Sequence, residues 1–182
     1  MTVPPVFLIG YMGCGKTTLG RAVAKVADVE FIDLDLYIEN RFRRPVKDIF
    51  AERGEDGFRI IERNMLHEVA EFENVIVACG GGTPCFFDNM EYMNSRGLTV
   101  LLEASPDCLH RRLCKGKAKR PLIAGMSDDE IAAFTRRSLE SRMAFYSQSR
   151  MVFPSDLLEN RAEIDVSVGR FISLAGLPLR SV

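Results

Sequence analysis

The chain has 182 residues, of which 47% are hydrophobic and 27% are charged. These values are typical of one globular domain spanning residues 1–182, and they exclude a disordered or fibrous chain. Lys and Arg number 24 against 25 Asp and Glu, a net charge of −1, so no overall field attracts nucleic acid or an anionic membrane. The five cysteines form no C-x-x-C pair, which favours a reducing cytoplasm over a zinc cluster or a disulfide framework.

Five short apolar or β-branched runs alternate with helical stretches along the chain. The predicted strands are residues 6–9, 29–32, 75–79, 98–103 and 151–153. This alternation predicts an α/β fold in which βαβ units build a parallel sheet.

The predicted helices lie between these strands. We expect them at residues 17–27, at a short segment bracketed by Pro45 and Gly54, at 58–72, before Gly97, from Ser127 to Tyr146, and at 161–174. Ser127 and Glu130 have the spacing of a capping box, which marks a helix start. No repeat or linker divides the chain.

A phosphate-binding loop follows the first predicted strand. Gly10-Tyr-Met-Gly-Cys-Gly-Lys-Thr17 fits G-x-x-x-x-G-K-[ST] and opens a helix, which is the structural context that supports the motif. In such a loop backbone N–H groups surround the phosphates of a nucleotide, the lysine reaches the β- and γ-phosphates, and the Thr hydroxyl binds Mg²⁺. We therefore expect a nucleotide, assigned as ATP once the resemblance below is taken into account, to contact Gly13, Cys14, Gly15, Lys16, Thr17 and Thr18.

Two carboxylates follow the second predicted strand. Asp33 and Asp35 are placed at the carboxyl edge of the sheet, where open α/β sheets bind their ligands. The third strand ends in glycines rather than Asp, so Asp33 is the candidate to hold Mg²⁺, and a carboxylate at this edge can also orient an attacking hydroxyl. For each residue alone, helix N-capping is the alternative.

Further candidates form an acceptor side. Gly80-Gly81-Gly82 follows the third strand, and bare backbone there allows close approach of a ligand, although a flexible turn is the alternative. Arg59 and Arg142 lie on predicted helices, where an arginine alone is more often solvated. Both would suit a carboxylate or phosphate through bidentate hydrogen bonds.

A basic segment occupies residues 111–125. It contains Arg111, Arg112, Lys115, Lys117, Lys119 and Arg120 and is broken by Gly116, Pro121 and Gly125. We interpret it as a mobile lid that closes over the phosphates, with Arg120 neutralising charge on the transferred group. A nucleic-acid contact is the alternative, which the lack of interleaved aromatic residues disfavours.

The ordered set of motifs resembles the shikimate kinase family from Phe7 to about Tyr146. It consists of the P-loop, D-x-D after strand two, F-R-x-x-E at Phe58 to Glu62, the triple glycine, and a basic loop ending Arg120-Pro121-Leu122. The resemblance implies a three-layer αβα fold with a five-stranded parallel sheet in the order 2-3-1-4-5. It also implies transfer of the ATP γ-phosphate to the 3-hydroxyl of shikimate, by a cytoplasmic monomer without nucleic-acid or membrane partners.

The resemblance also implies a role for each candidate residue. Shikimate would be held by Asp35, Arg59, Gly81, Gly82 and Arg142, within acceptor-binding helices at about 34–72, and Asp35 would be the base. Lys16 and Arg120 would stabilise the phosphoryl group, Thr17 and Asp33 would serve Mg²⁺, and Arg112 would lie near the adenine or the phosphates. No adenine contact at residues 153–156 is assigned.

Two rival functions stay open from the sequence. One is a P-loop kinase of another acceptor, such as gluconate or a nucleoside monophosphate. The other is a non-catalytic nucleotide-binding module derived from a kinase, in which no acceptor is phosphorylated.

Overall fold

The computed structural model describes residues 2–178, without the side chain of Lys119. Residue 1 and residues 179–182 of the predicted domain lie outside the described residues. Five strands form one parallel sheet in the order β2-β3-β1-β4-β5. The predicted fold class and strand order are therefore confirmed.

The strands lie close to their predicted positions. They are β1 Val6–Ile9, β2 Glu30–Asp33, β3 Val75–Ala78, β4 Leu98–Glu103 and β5 Met151–Pro154. All four residues of β1 and of β3 are buried, as expected for strands covered on both faces of a parallel sheet.

Seven α-helices connect or flank the strands within the described residues. They are α1 Lys16–Ala27, α2 Leu34–Phe42, α3 Val46–Val69, α4 Asn89–Arg96, α5 Pro106–Lys115, α6 Asp128–Tyr146 and α7 Arg161–Ala175. Both halves of the predicted capping box form at the start of α6, since Ser127 accepts from the Glu130 N–H and Glu130 accepts from the Ser127 N–H. No helix of residues 2–178 combines the length and apolarity needed to cross a membrane.

Alternate side chains of each central strand enter two separate cores. Val6 and Leu8 pack into a core with α1 and α7, whereas Phe7 and Ile9 pack into a core with α2, α3 and α4. Because neighbouring residues of a strand point to opposite faces, one apolar strand supplies both cores. The helices thus form layers above and below the sheet.

Three boundary predictions need correction, and one is confirmed. Pro45 is the N-cap of α3 rather than its first helical residue. The predicted stop at Gly54 is confirmed, because the backbone there has non-helical angles (φ 67°, ψ −176°) that divide α3 into two helical parts. The predicted end at residue 72 is three residues too late. The predicted basic loop also begins too early, because Arg111 and Arg112 lie on α5 and only residues from Gly116 onward leave the helix.

Candidate active site

A cleft of about 750 Å³ opens at the carboxyl ends of the strands. Its walls come from the P-loop, the end of β2, the start of the triple glycine, α5 and the basic segment. The predicted site residues that line it are Gly13, Gly15, Lys16, Thr17, Thr18, Asp33, Asp35, Gly81, Arg112 and Arg120. The parallel topology therefore brings most of the sequence candidates together at one edge of the sheet.

The P-loop adopts a conformation that only glycine tolerates easily. Gly10, Gly13 and Gly15 have φ of 134°, 84° and 100°, in the region that L side chains rarely adopt. Gly15 is the N-cap of α1 and supplies no side-chain cap, so helix geometry leaves the N–H groups of the first turn without intrahelical acceptors. These groups lie at the cleft and form a site for an anion.

Two of the residues predicted to contact a nucleotide form hydrogen bonds within the P-loop itself. The Lys16 ammonium donates to the carbonyl oxygens of Gly10 at 2.7 Å and Tyr11 at 3.1 Å. The N–H of Cys14 donates to the Tyr11 carbonyl at 3.2 Å, and its side chain is buried. A phosphate group bound by Lys16 would have to replace these carbonyl acceptors.

Thr17 and Asp33 meet across the cleft floor. The Thr17 hydroxyl donates to Oδ2 of Asp33 at 3.1 Å, and Oδ1 of Asp33 accepts from the Leu36 N–H at 3.5 Å as the N-cap of α2. The N-capping alternative is thus observed for Asp33. The second carboxylate oxygen remains directed at Thr17, which places two oxygen donors of the kind that Mg²⁺ prefers side by side.

Asp35 lies in the first turn of α2 and opens into the cleft. Partial burial, together with the negative charges of Glu62 and Asp33, raises its pKa from 3.8 to about 6, although Lys16 opposes the shift. A carboxyl group with this pKa is ionised at neutral pH and is more basic than an ordinary aspartate. It is therefore suited to accept a proton from a hydroxyl group.

Acceptor-side residues lie close to all three glycines of the triple. A Cβ on Gly81 would lie 3.1 Å from Nη1 of Arg142, and one on Gly82 would lie 2.9 Å from Nη2 of Arg59. A Cβ on Gly80 would lie 3.3 Å from Oδ1 of Asp35, although Oγ1 of Thr83 at 3.0 Å and Oε1 of Glu62 at 3.1 Å would be nearer. The absence of side chains at these positions lets the carboxylate and both guanidinium groups approach the backbone closely. The two arginines, 83 positions apart in the chain, consequently lie against consecutive residues.

Glu62 is the residue of this region whose role the sequence did not reveal. It is 1% exposed, accepts from Nη1 of Arg59 at 2.8 Å and accepts from the Thr83 hydroxyl at 2.6 Å. A buried carboxylate needs such partners, and it fixes the arginine in return. The F-R-x-x-E spacing, one helical turn between Arg59 and Glu62, was the available signal.

Arg142 reaches the site from α6. Its Cζ atom lies 5.4 Å from the ring centroid of Tyr11, and the neighbouring Tyr146 hydroxyl donates to the Gly81 carbonyl at 2.6 Å. Burial raises the pKa of Tyr146, so this hydroxyl stays protonated and keeps its role as a donor. The end of α6 is thereby joined to the triple glycine.

Two basic residues cover the P-loop side of the cleft. Arg112 donates from Nε to Glu159 at 2.7 Å, from Nη1 to the Ser155 carbonyl at 3.0 Å and from Nη2 to the Asp156 carbonyl at 3.0 Å. Arg120 lines the cleft and packs against Gly116 at the end of α5. Arg112 therefore holds the segment after β5 against the P-loop, while Arg120 sits on the basic segment.

The segment after β5 completes the P-loop side of the cleft. Leu158 lines the cleft and packs so closely on Gly15 that a Cβ there would lie 2.4 Å from Cδ1 of Leu158. The sequence offered no signal for this contact, because Leu158 belongs to no phosphate-binding motif and is distant from the P-loop in the chain.

Several proteins that resemble this chain in sequence over most of its length carry the name shikimate kinase. The family model for shikimate kinase matches residues 12–171. The shikimate kinase of Bacteroides thetaiotaomicron is 55% identical over 172 residues, which cover 94% of this chain and 98% of that protein. A crystal structure of shikimate kinase from Bacteroides thetaiotaomicron is 54% identical in sequence and has a TM-score of 0.93. The alignment covers 97% of this chain and 100% of that one.

A more distant structure carries the same name. The shikimate kinase of Acinetobacter baumannii, solved in complex with shikimate, is 28% identical and has a TM-score of 0.81 over 96% of this chain and 94% of that one. Together with the family model and the relative that is more than half identical, this likeness extends along nearly the whole sequence. The chain belongs to the shikimate kinase family.

Proposed function

We propose that this protein transfers the γ-phosphate of ATP to the 3-hydroxyl of shikimate. The observation that carries the proposal is the triple glycine, where Asp35, Arg142 and Arg59 each pack on one of three consecutive residues. An acceptor with a carboxylate and ring hydroxyls matches this arrangement, because guanidinium groups bind carboxylates and a carboxylate binds hydroxyls. A nucleobase offers no carboxylate for either guanidinium group to bind.

The donor side holds ATP through the P-loop. The first-turn N–H groups of α1 bind the phosphate oxygens, and Lys16 moves from the loop carbonyls to the β- and γ-phosphates. Arg120 neutralises charge on the transferred group from the basic segment, and Arg112 and Leu158 lie beside the base.

Mg²⁺ fits the oxygen pair of Thr17 and Asp33. The two side chains are 3.1 Å apart, and hydroxyl and carboxylate oxygens are the ligands that this hard cation takes in phosphate-binding sites. When bound, the ion supplies positive charge to the phosphate oxygens.

Asp35 accepts the proton in the proposed reaction. The shikimate oxygen forms a bond to the γ-phosphorus, the bond from that phosphorus to ADP breaks, and the hydroxyl proton passes to the Asp35 carboxylate. Arg59 and Arg142 hold the acceptor carboxylate, so that the hydroxyl is presented in line with the donor.

Coupled ADP release tests the proposal. The rate of ADP release by purified protein with MgATP is measured with shikimate, with gluconate, with AMP and without any acceptor. Release with shikimate alone supports the proposal. Release with another acceptor would move the specificity, and nucleotide binding without acceptor-dependent release would favour the non-catalytic module.

Arg59→Ala tests the acceptor site itself. Loss of its charge-assisted hydrogen bonds, worth roughly 1.5–3 kcal/mol, should raise the KM for shikimate about 10-fold or more and change the KM for ATP little. Arg63→Ala is the matched control, because Arg63 is one turn further along α3 and pairs with Asp88 at 2.9 Å. An unchanged KM for shikimate in Arg59→Ala would remove Arg59 from the site.

The finer sequence predictions remain predictions. They are the monomeric state, the cytoplasmic location, the absence of a nucleic-acid partner, and the closing of the basic segment over ATP.

A further inference from the structure

An aromatic ring outside the family motifs covers the guanidinium of Arg59. The Cζ atom of Arg59 lies 4.0 Å from the ring centroid of Phe86, closer than the 5.8 Å to Phe50 or the 5.4 Å to Phe58. A cation over an aromatic face is attracted to it, and the attraction is greatest at short distance and away from water. Phe86 is therefore the main aromatic partner of Arg59.

The position of Phe86 is fixed by its own chain segment. Phe86 follows a 3₁₀ turn at Thr83–Cys85 and has an extended backbone. Buried Asn89 donates its N–H to the Phe86 carbonyl at 3.3 Å and its side-chain amide to the Thr83 carbonyl at 2.8 Å. Because these bonds hold the segment on both sides of the ring, Phe86 can hold Arg59 in place rather than follow it.

One hydrogen-bond donor of Arg59 has no partner. Nη1 donates to Glu62 and Nη2 donates to Glu55 at 3.3 Å, whereas Nε is buried and has no hydrogen-bond partner. A buried donor without an acceptor is costly unless a ligand supplies one.

We propose that Phe86 is a positioning residue that sets the affinity for the acceptor carboxylate through Arg59. Its ring holds the guanidinium plane and removes water from one face, so that the guanidinium keeps one orientation for the acceptor carboxylate. Hydrogen bonds to an anion are stronger where water is excluded. The inference rests on the proposed acceptor site, and it adds a determinant that the motifs do not contain.

Phe86→Leu and Phe86→Tyr test the ring directly. Leucine keeps apolar volume without a π face, and we expect it to raise the KM for shikimate about fivefold, with kcat and the KM for ATP nearly unchanged. Tyrosine keeps the aromatic face, so the KM of Phe86→Tyr for shikimate should equal the wild-type value. Phe86→Met serves the same purpose if the leucine variant does not fold.

Two further comparisons separate positioning from general structure. Phe87→Leu is the matched control, because Phe87 is 54% exposed and its ring centroid lies 5.2 Å from Cζ of Arg63 rather than beside Arg59. The KM of this variant for shikimate should stay at the wild-type value. In an Arg59→Gln background, Phe86→Leu should add nothing, since the ring acts through the guanidinium. The same fivefold loss in that background, or a wild-type KM in Phe86→Leu alone, would overturn the inference.

Failure of the proposed function would be recognised separately. If the wild-type protein releases no ADP with shikimate, the proposed function fails before any variant is compared. If the wild-type protein turns shikimate over and Phe86→Leu matches it, only the role of Phe86 fails.

Discussion

Replacing Asp35 with asparagine is expected to stabilise the protein while removing its activity. Partial burial and the nearby charges of Glu62 and Asp33 raise the pKa of Asp35 from 3.8 to about 6. Ionising this group therefore costs free energy in the folded state that the unfolded chain does not pay. Asparagine keeps the size of the side chain and removes that cost.

The size of the gain follows from the pKa difference. A shift of about two units corresponds to ~3 kcal/mol, and because Asp35 opens into the cleft, solvent screening reduces the expected gain to about 1 kcal/mol. Between pH 3.8 and about 6 the folded state binds more protons at Asp35 than the unfolded chain. The advantage of the variant is thus fully present above about pH 6 and fades as the pH falls towards 3.8.

Urea denaturation of the ligand-free proteins, at about pH 7.5 and about pH 4.5, measures this difference in the free energy of unfolding. Asp48→Asn is the matched control, because Asp48 is an exposed carboxylate in the first turn of α3. Its loss removes a favourable interaction with the helix dipole and should cost up to about 1 kcal/mol. Turnover of Asp35→Asn should fall about 10²-fold or more.

Two results would refute this reasoning. If Asp35→Asn is no more stable than the wild-type protein at about pH 7.5, the carboxylate is not destabilised by its surroundings. If its turnover with shikimate stays within a few-fold of the wild-type value, Asp35 is not the proton acceptor.

Three other changes test separate parts of the site. Glu62→Ala leaves Arg59 without its buried partner and should lower the free energy of unfolding by about 2–3 kcal/mol in urea titrations, so an unchanged midpoint would contradict the network. Gly15→Ala places a Cβ on a residue with a φ of 100° and only 2.4 Å from Cδ1 of Leu158, so calorimetry should show ADP binding weakened about 10-fold or more. Wild-type affinity would argue against the close packing of Leu158 on Gly15. Residues 116–125, the part of the basic segment outside α5, should resist proteolysis only with ATP and shikimate both bound, and identical cleavage without ligands would argue against a closing lid.

The sequence by itself determined the features that depend on neighbours in the chain. The P-loop is one contiguous segment in which glycines occupy the positions of positive φ, and α1 begins directly after the last of them, Gly15. Its place and chemistry therefore follow from local physics. The same holds for the capping box, where the four residues from Ser127 to Glu130 suffice. The apolar runs also predicted the five strands. The reason is clearest for β1 and β3, which are buried along their whole length and therefore need continuous apolar residues.

Only the tertiary structure decided which distant side chains meet. Arg59 and Arg142 became neighbours because α3 and α6 both pass the end of β3, and no local pattern states that distance. Glu62 and Phe86 acquire their roles only through contact with Arg59. Their effect comes from burial and from the exclusion of water, which arise when separate segments pack together.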